Sequence, residues 1–407
     1  CFLETAHGSF IATGSRDSKI ATWRIEEDNA ITQAAELHGH DHFVNALSGV
    51  TVADSNRILV SGSSDRSVRA WDVSSATCLA IGNEQHTDAI CSLTEIKTRA
   101  GFFCSCSWDR TCILWKIGLE NTGKYVLQPV RKLAGHAAAV WSALPVQGDS
   151  VLLTASADKS IGCWSLESGE QIGALKGHSD VVRSLTRIAD EAFVSASNDG
   201  SIRCWRLDAN SKSFECADVL LNAHDGSFVY TLDSAINTNP GTDGLAIYSG
   251  GEDNALRVTE ILKTGSLSMS QVIMHPGTVW SVAATPDGVV TGCSDGIARV
   301  FTTNSSLYAD DDTLKAFENS VSGREVNTKI IGGVNVEELP TVAEGLAAPG
   351  TAEGQTKIFK GPSGPEVYMW SSSETRWQKI GDVVDGPGDG NKAGAEHSTE
   401  PPTLNGK

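Results

Sequence analysis

Seven times along this chain an aspartate stands four residues after a hydroxyl residue and six residues before a large or branched one. The stretches read "TGSRDSKIATW", "SGSSDRSVRAW", "SCSWDRTCILW", "TASADKSIGCW", "SASNDGSIRCW", "SGGEDNALRVT" and "TGCSDGIARVF". Their aspartates are Asp17, Asp65, Asp109, Asp158, Asp199, Asp253 and Asp295, spaced 41 to 54 residues apart. The hydroxyls are Thr13, Ser61, Ser105, Thr154, Ser195, Ser249 and Thr291. Trp23, Trp71, Trp115, Trp164 and Trp205 close the first five stretches, while Thr259 and Phe301 take that place in the last two. An offset kept seven times means that one local structure is built seven times.

A histidine precedes six of the aspartates by 20 to 29 residues: His40, His86, His136, His178, His224 and His275. Each is followed by an apolar strand start, "FVNAL", "AICSL", "AVWSAL", "VVRSL", "FVYTL" or "TVWSV". The alternation in these runs has the period of two expected of β-strands. A repeat of this length with Gly-His and Trp-Asp signals marks the blades of a β-propeller. Residues 1 to 302 resemble the WD40 repeat family, although of the tryptophans that close the stretches only Trp71 is followed by aspartate, Asp72. The expectation is an all-β chain opening with a seven-bladed WD40 propeller.

A buried aspartate is costly unless its oxygens are paired. In the family pattern the His, Ser or Thr, Asp and Trp of one repeat form a hydrogen-bonded chain. The indole donates its single N–H while its rings fill space between blades. The seven aspartates therefore read as a structural network. A catalytic constellation would occur once, not six times. Neither a G-x-S-x-G nor a Walker loop is present, and His7 sits in a Gly-Ser turn.

"CFLETAHGSFIATGSRD" starts midway through a first strand and has no histidine segment before it, so the first blade reads as incomplete. Propellers commonly close by a terminal strand that completes the last blade. That strand is not in this sequence, so an open strand edge near Asp295 is expected to template association.

The net charge of −18 is spread over both parts of the chain, and no basic cluster exists to neutralise phosphates. Nucleic acid is thus not expected as a partner, nor is attraction to anionic lipid. No apolar run approaches the ~20 residues of a membrane span. Among the ten cysteines, Cys91, Cys112, Cys163, Cys204 and Cys293 occupy strand positions and read as small buried residues. Cys104 and Cys106 form a C-x-C pair without a second pair at metal spacing, so no metal or cofactor is expected. The composition reads as a reduced protein without disulfides, expected in cytoplasm and nucleus.

After Phe301 the repeat ends. Residues 303–344 read as a linker with one short helix near Thr313 to Asn319. Residues 345–386 regain strand character in three runs, Thr356 to Phe359, Val367 to Trp370 and Trp377 to Ile380, and 387–407 read as a disordered tail. Leu339-Pro340, Gly350 and Gly354-Gln355-Thr356 lead into Val367-Tyr368, Trp370 and Trp377 before "KIGDVV". This pattern resembles the start of the ubiquitin-binding (PFU) domain of the phospholipase A2-activating protein family, in which a WD40 propeller precedes that domain. The resemblance implies a non-enzymatic adaptor in ubiquitin-dependent protein degradation. Such adaptors bind ubiquitin and ubiquitinated proteins and dock an AAA+ segregase ATPase through a C-terminal domain that this chain does not reach. The alternatives are an activator or regulator of a phospholipase, and a generic WD40 scaffold.

Two candidate binding surfaces follow. In the short C-terminal module, Tyr368, Trp370, Trp377 and Ile380 are expected to touch ubiquitin, because so small a sheet cannot bury every aromatic. On the propeller, the positions five residues past each repeat histidine, or six after His224, are Asn45, Cys91, Trp141, Arg183, Tyr230 and Trp280, at the start of the innermost strands. The residue before the aspartate adds Arg16, Trp108 and Glu252 on the same face. Large aromatics and arginine at exposed positions resemble interface hot spots, from which Arg16, Trp108, Trp141, Arg183, Tyr230 and Trp280 are taken as the propeller site. The competing reading has Trp141 and Trp280 plug the central channel.

Overall fold

The computed structural model describes residues 1–5, 8–26, 31–52, 57–236, 245–261, 266–285, 288–302, 311–321 and three later strands. The chain divides into two units, Cys1–Ser322 and Gly323–Lys407. The first is a seven-bladed propeller.

Each blade is an antiparallel sheet whose strands follow chain order from the channel outward. Blade 1 holds Phe2–Thr5, Gly8–Gly14, Ile20–Ile25 and Ile31–Leu37; its first strand has four residues. Blades 2 to 6 begin at Val44, Ile90, Val140, Val182 and Val229 and have four strands each. Blade 7 has three, Val279–Thr285, Gly288–Cys293 and Ala298–Thr302. The inner strands of blades 1 and 7 are in contact, which brings the ring round.

Apolar residues on both faces of the middle strands explain this stacking. Phe103, Cys104 and Cys106 in blade 3, or Leu152, Leu153 and Ala155 in blade 4, are fully buried, as strands covered on both sides must be. The repeat tryptophans fill the wedge between neighbours. Trp115 lies against blade 2, where a Cβ on Gly82 would come within 2.7 Å of its ring. Only glycine allows that approach. Phe103 stacks on Trp115 and Phe193 on Trp205, at 6.3 and 6.0 Å between ring centres.

Polar staples tie the inner strands together. Glu95 accepts the Thr51 N–H at 2.6 Å and pairs with Arg57 at 3.2 Å. Asn45 donates to the Ile90 carbonyl at 2.8 Å, and Asp233 accepts the Ala284 N–H at 2.8 Å. All ten cysteines are free thiols. Among the described residues no group of three metal-ligating side chains forms, and no helix is long and apolar enough to cross a membrane.

The helix expected near Thr313 spans Asp311–Val321, here α1, within the first unit. The second unit contains a three-stranded antiparallel sheet, Thr356–Gly361, Gly364–Ser371 and Arg376–Asp382. The other residues of 303–344, the lead-in Leu339, Pro340, Gly350, Gly354 and Gln355, and the tail 387–407 lie outside the described residues.

Candidate functional site

The site rests on a frame set by the repeat network. In blade 2 the Trp71 N–H donates to Ser61 Oγ at 2.8 Å, leaving the Ser61 hydroxyl proton for His40 Nε2 at 2.6 Å. His40 Nδ1–H then donates to Asp65 at 2.7 Å. The same chain runs through Trp115, Ser105, His86 and Asp109 in blade 3. It recurs through Trp164, Thr154, His136 and Asp158 in blade 4, and through Trp205, Ser195, His178 and Asp199 in blade 5. Burial alone would raise these carboxyls, but hydrogen bonds from the histidine and from the residue two positions on hold them below the ordinary range. The second oxygen of Asp65 takes the Ser67 N–H at 2.8 Å, which pins the turn.

Three blades depart from this pattern. Blade 1 has no repeat histidine: Asp17 is exposed and, among the described residues, accepts only the Lys19 N–H, at 2.9 Å, while Trp23 reaches Thr13 at a long 3.4 Å. In blade 6 His224 bonds Ser249 and Asp253, but the indole is gone and the buried Thr259 hydroxyl has no partner among the described residues. Arg257 pairs instead with Asp253 and Asp225. In blade 7 His275 Nδ1–H donates to the Ile273 carbonyl at 3.1 Å, so the expected bond to Asp295 is not made. Asp295 pairs with Arg299 at 2.6 Å.

Pinned turns leave the adjoining residues free to face solvent around the channel mouth, and there the structure draws the candidate residues into one chain of contacts. Trp108 meets Trp141 edge-on at 5.6 Å. Arg183 lies 4.0 Å over the Trp141 ring and 5.4 Å over Tyr230. Tyr230 stacks on Trp280 at 4.6 Å. Arg16 then bridges Trp280 and Phe43, at 6.0 and 5.7 Å. Each of the seven blades contributes one member.

Trp108 and Trp280 are each 48% exposed, which is not how a channel plug sits. Trp141 is half-buried and its indole N–H lacks an acceptor among the described residues. Burial lowers the Arg183 pKa, and the Arg183 Nε–H donates to Asn198 Oδ1 at 2.9 Å. Burial and then the nearby Glu252 raise the Tyr230 hydroxyl. Asp17, Asp41, Asp88 and Glu252 stand exposed in the same set of loops. Asn45 and Cys91 do not join the chain of rings; Asn45 bonds Ser64 and Ile90, and the Cys91 thiol donates to the Val140 carbonyl. Sequence reasoning missed Phe43. The signal was its place directly before the inner strand, matched by Phe228, which meets Tyr230 edge-on.

In the second unit the register sets Tyr368 opposite Lys379 and Trp370 opposite Trp377. It shifts between Val367 and Tyr368, and Ile380 is the residue left out of the pairing. The side chains of these four candidates lie outside the described residues.

Residues 348–400 match the family described as PFU (PLAA family ubiquitin binding), and 31–72, 77–116, 127–165 and 169–206 match the WD domain, G-beta repeat. The ubiquitin homeostasis protein lub1 of Schizosaccharomyces pombe is 32% identical over 400 residues, 88% of this chain and 51% of that protein. The chain belongs to the phospholipase A2-activating protein family. A phospholipase A-2-activating protein of Xenopus laevis is 39% identical over 122 residues, 29% of this chain and 15% of its own. The ubiquitin fusion degradation protein 3 homolog of Caenorhabditis elegans is 30% identical over 326 residues, 78% of this chain and 36% of its own. The chain thus spans about half the length of these family members or less. Among solved structures, the WD40 β-propeller domain of Doa1 superposes with a TM-score of 0.59 at 28% identity, over 74% of this chain and 91% of that domain.

Proposed function

We propose that this chain is a non-enzymatic adaptor of ubiquitin-dependent protein degradation that binds ubiquitin through two sites. One is the PFU segment and the other is the ring Arg16, Phe43, Trp108, Trp141, Arg183, Tyr230 and Trp280. The observation that carries the reading is a PFU match placed after a propeller that shows exposed aromatics on one face. Exposed aromatic faces accept an apolar patch, and the exposed acids around them suit the basic neighbours of ubiquitin's apolar surface. In this reading the protein works in cytoplasm and nucleus. It passes ubiquitinated proteins to an AAA+ segregase through a part of the family that residues 1–407 do not span.

Nothing in the geometry makes a reaction centre of the His-Ser-Asp sets. Each recurs blade by blade, its hydroxyl is buried, and its proton is committed within the blade. The name of the frog relative keeps a phospholipase activator as the second reading, checked by adding the chain to a phospholipase assay.

The deciding experiment is an NMR titration of labelled ubiquitin with the 407-residue chain, then with Trp370→Ala, Trp280→Ala and the double variant. Each single change should weaken the shifts of the apolar patch, and the double should abolish them. Modules of this size give affinities on the order of micromolar or weaker. Apolar-patch resonances that stay still with the unmutated chain would sink the reading.

A further inference from the structure

Blade 7 lacks three supports that blades 2 to 5 keep. Phe301 replaces the tryptophan, so Thr291 receives no indole N–H. His275 has turned from Asp295 to the Ile273 carbonyl. Among the described residues, no strand pairs with the outer side of Ala298–Thr302. Yet this blade carries Trp280, which stacks on Tyr230 and receives Arg16, and so links the run from Trp108 to Tyr230 with Arg16 and Phe43.

One helix meets the weakened blade at those points. Phe317 of α1 packs edge-on against Phe301 at 5.9 Å and against His275 at 6.2 Å. The Arg299 guanidinium lies 5.5 Å over the same ring. One side chain therefore touches the residue in the tryptophan position, the displaced histidine and the partner of the displaced aspartate. Leu314, Phe317 and Val321 share a face of α1 by their spacing of three and four. Phe317 and Val321 are half-buried, whereas Leu314 is 47% exposed. On the blade, Ile297 and Val300 remain 53% and 39% exposed, so the helix covers this edge only in part.

We propose that α1 is the fourth element of blade 7, a latch held chiefly by Phe317 that keeps the strands bearing Trp280 in place. It takes over the work of the missing indole and aspartate contacts by packing on the groups they left behind. Apolar ring contact substitutes for hydrogen bonding, and burial, which lowers the His275 pKa, keeps that ring neutral against its two aromatic neighbours. The inference stands on contacts within the propeller unit and does not depend on what the ring of aromatics binds.

The test is hydrogen exchange read by mass spectrometry on the full 407-residue chain, as wild type, Phe317→Ala and Phe317→Tyr. Losing two aromatic pairs and a cation–π contact should speed exchange in 279–302 by roughly three- to tenfold. Residues 102–119 of blade 3 should be unaffected, and Phe317→Tyr, which keeps the ring, should exchange like wild type. Exchange in 279–302 that does not change in Phe317→Ala overturns the proposal. A rise of equal size in blade 3 also overturns it, because the helix would then act on the whole unit rather than on blade 7.

Discussion

Replacing Asp158 by alanine should cost far more than replacing Asp17, although the two stand at equivalent places in the repeat. Four donors converge on the Asp158 carboxylate: His136 Nδ1–H at 2.7 Å, the N–H groups of Ala137 and Ser160 at 3.0 Å, and the Ser160 hydroxyl at 2.6 Å. The turn groups can find water once the carboxylate is gone. His136 cannot, since its side chain is 3% exposed. A buried donor left unsatisfied costs about 1–3 kcal/mol. For a unit of this size that is a fall of a few degrees in Tm. Asp17 has no histidine and is exposed, so Asp17→Ala should stay within about 0.5 kcal/mol of wild type. Thermal and urea melts of the two variants, followed by circular dichroism, make the comparison. Equal losses would refute the argument that stability flows through the buried histidine, and so would an Asp158→Ala melt identical to wild type.

Acid should act on the same network. The carboxyls of Asp65, Asp109, Asp158, Asp199, Asp253 and Asp295 lie below their ordinary values. Their contribution is then complete above an unfolded value near ~3.9 and lost as pH falls toward the lower folded value. Melting temperature should hold from pH 7 to about 5 and drop steeply below about 4; an unchanged melt at pH 3 contradicts the shifts. Burial shields Cys104, Cys106, Cys112 and Cys204 and raises their thiol pKa, so a thiol reagent at pH 8 should label the exposed Cys216 before them. Peptide mapping that finds Cys104 labelled as fast as Cys216 counts against the packing. Trp280→Ala should weaken ubiquitin binding by the propeller about tenfold or more without changing the melt by more than a degree or two. An unaltered affinity would move the site away from the ring.

The frame was legible because its chemistry is local. Hydroxyl, aspartate and tryptophan lie within ten residues of one another, so their contacts follow from spacing on a hairpin, and the histidine falls one strand away. The three runs from Thr356, Val367 and Trp377 were legible for the same reason, through alternation and turn residues, and their strands extend only a little further. What failed depended on position in the ring. Asp295 keeps the hydroxyl and the histidine of the repeat at their places, as Asp158 does, yet Arg299, four residues on, takes its carboxylate. Asp253 likewise keeps its histidine but shares its second oxygen with Arg257. Arginine at that offset is no sign of this, since Arg69 and Arg203 stand four residues after Asp65 and Asp199, which keep their histidines. The placement of Phe43 beside Arg16 joins different blades, and no spacing along the chain reports such a contact.

Frame and site divide the repeat between them, and that division explains how a structure so regular can carry a surface so particular. In blades 2 to 5 the aspartate spends its oxygens on the histidine and on its own turn, so the turn keeps its shape whatever residue precedes it. That residue is Arg16, Ser64, Trp108, Ala157, Asn198, Glu252 or Ser294 in the seven blades. The second position of the inner strand is similarly unconstrained, being Asn45, Cys91, Trp141, Arg183, Tyr230 or Trp280 in blades 2 to 7. Two free positions per blade, held at fixed places on one face, suffice to write a binding surface without disturbing the fold. Blades 4 to 7 use the strand position, and blades 1 and 3 use the turn. Blade 2 uses neither, contributing Phe43 from the loop between its histidine and its inner strand. A change at these positions should therefore alter recognition while sparing stability, and a change in the buried tetrads should do the reverse. Blade 7 is where the separation should break down, because Trp280 stands on the proposed surface while, in the role proposed for α1, its blade takes from the helix the support that a tetrad supplies in blades 2 to 5.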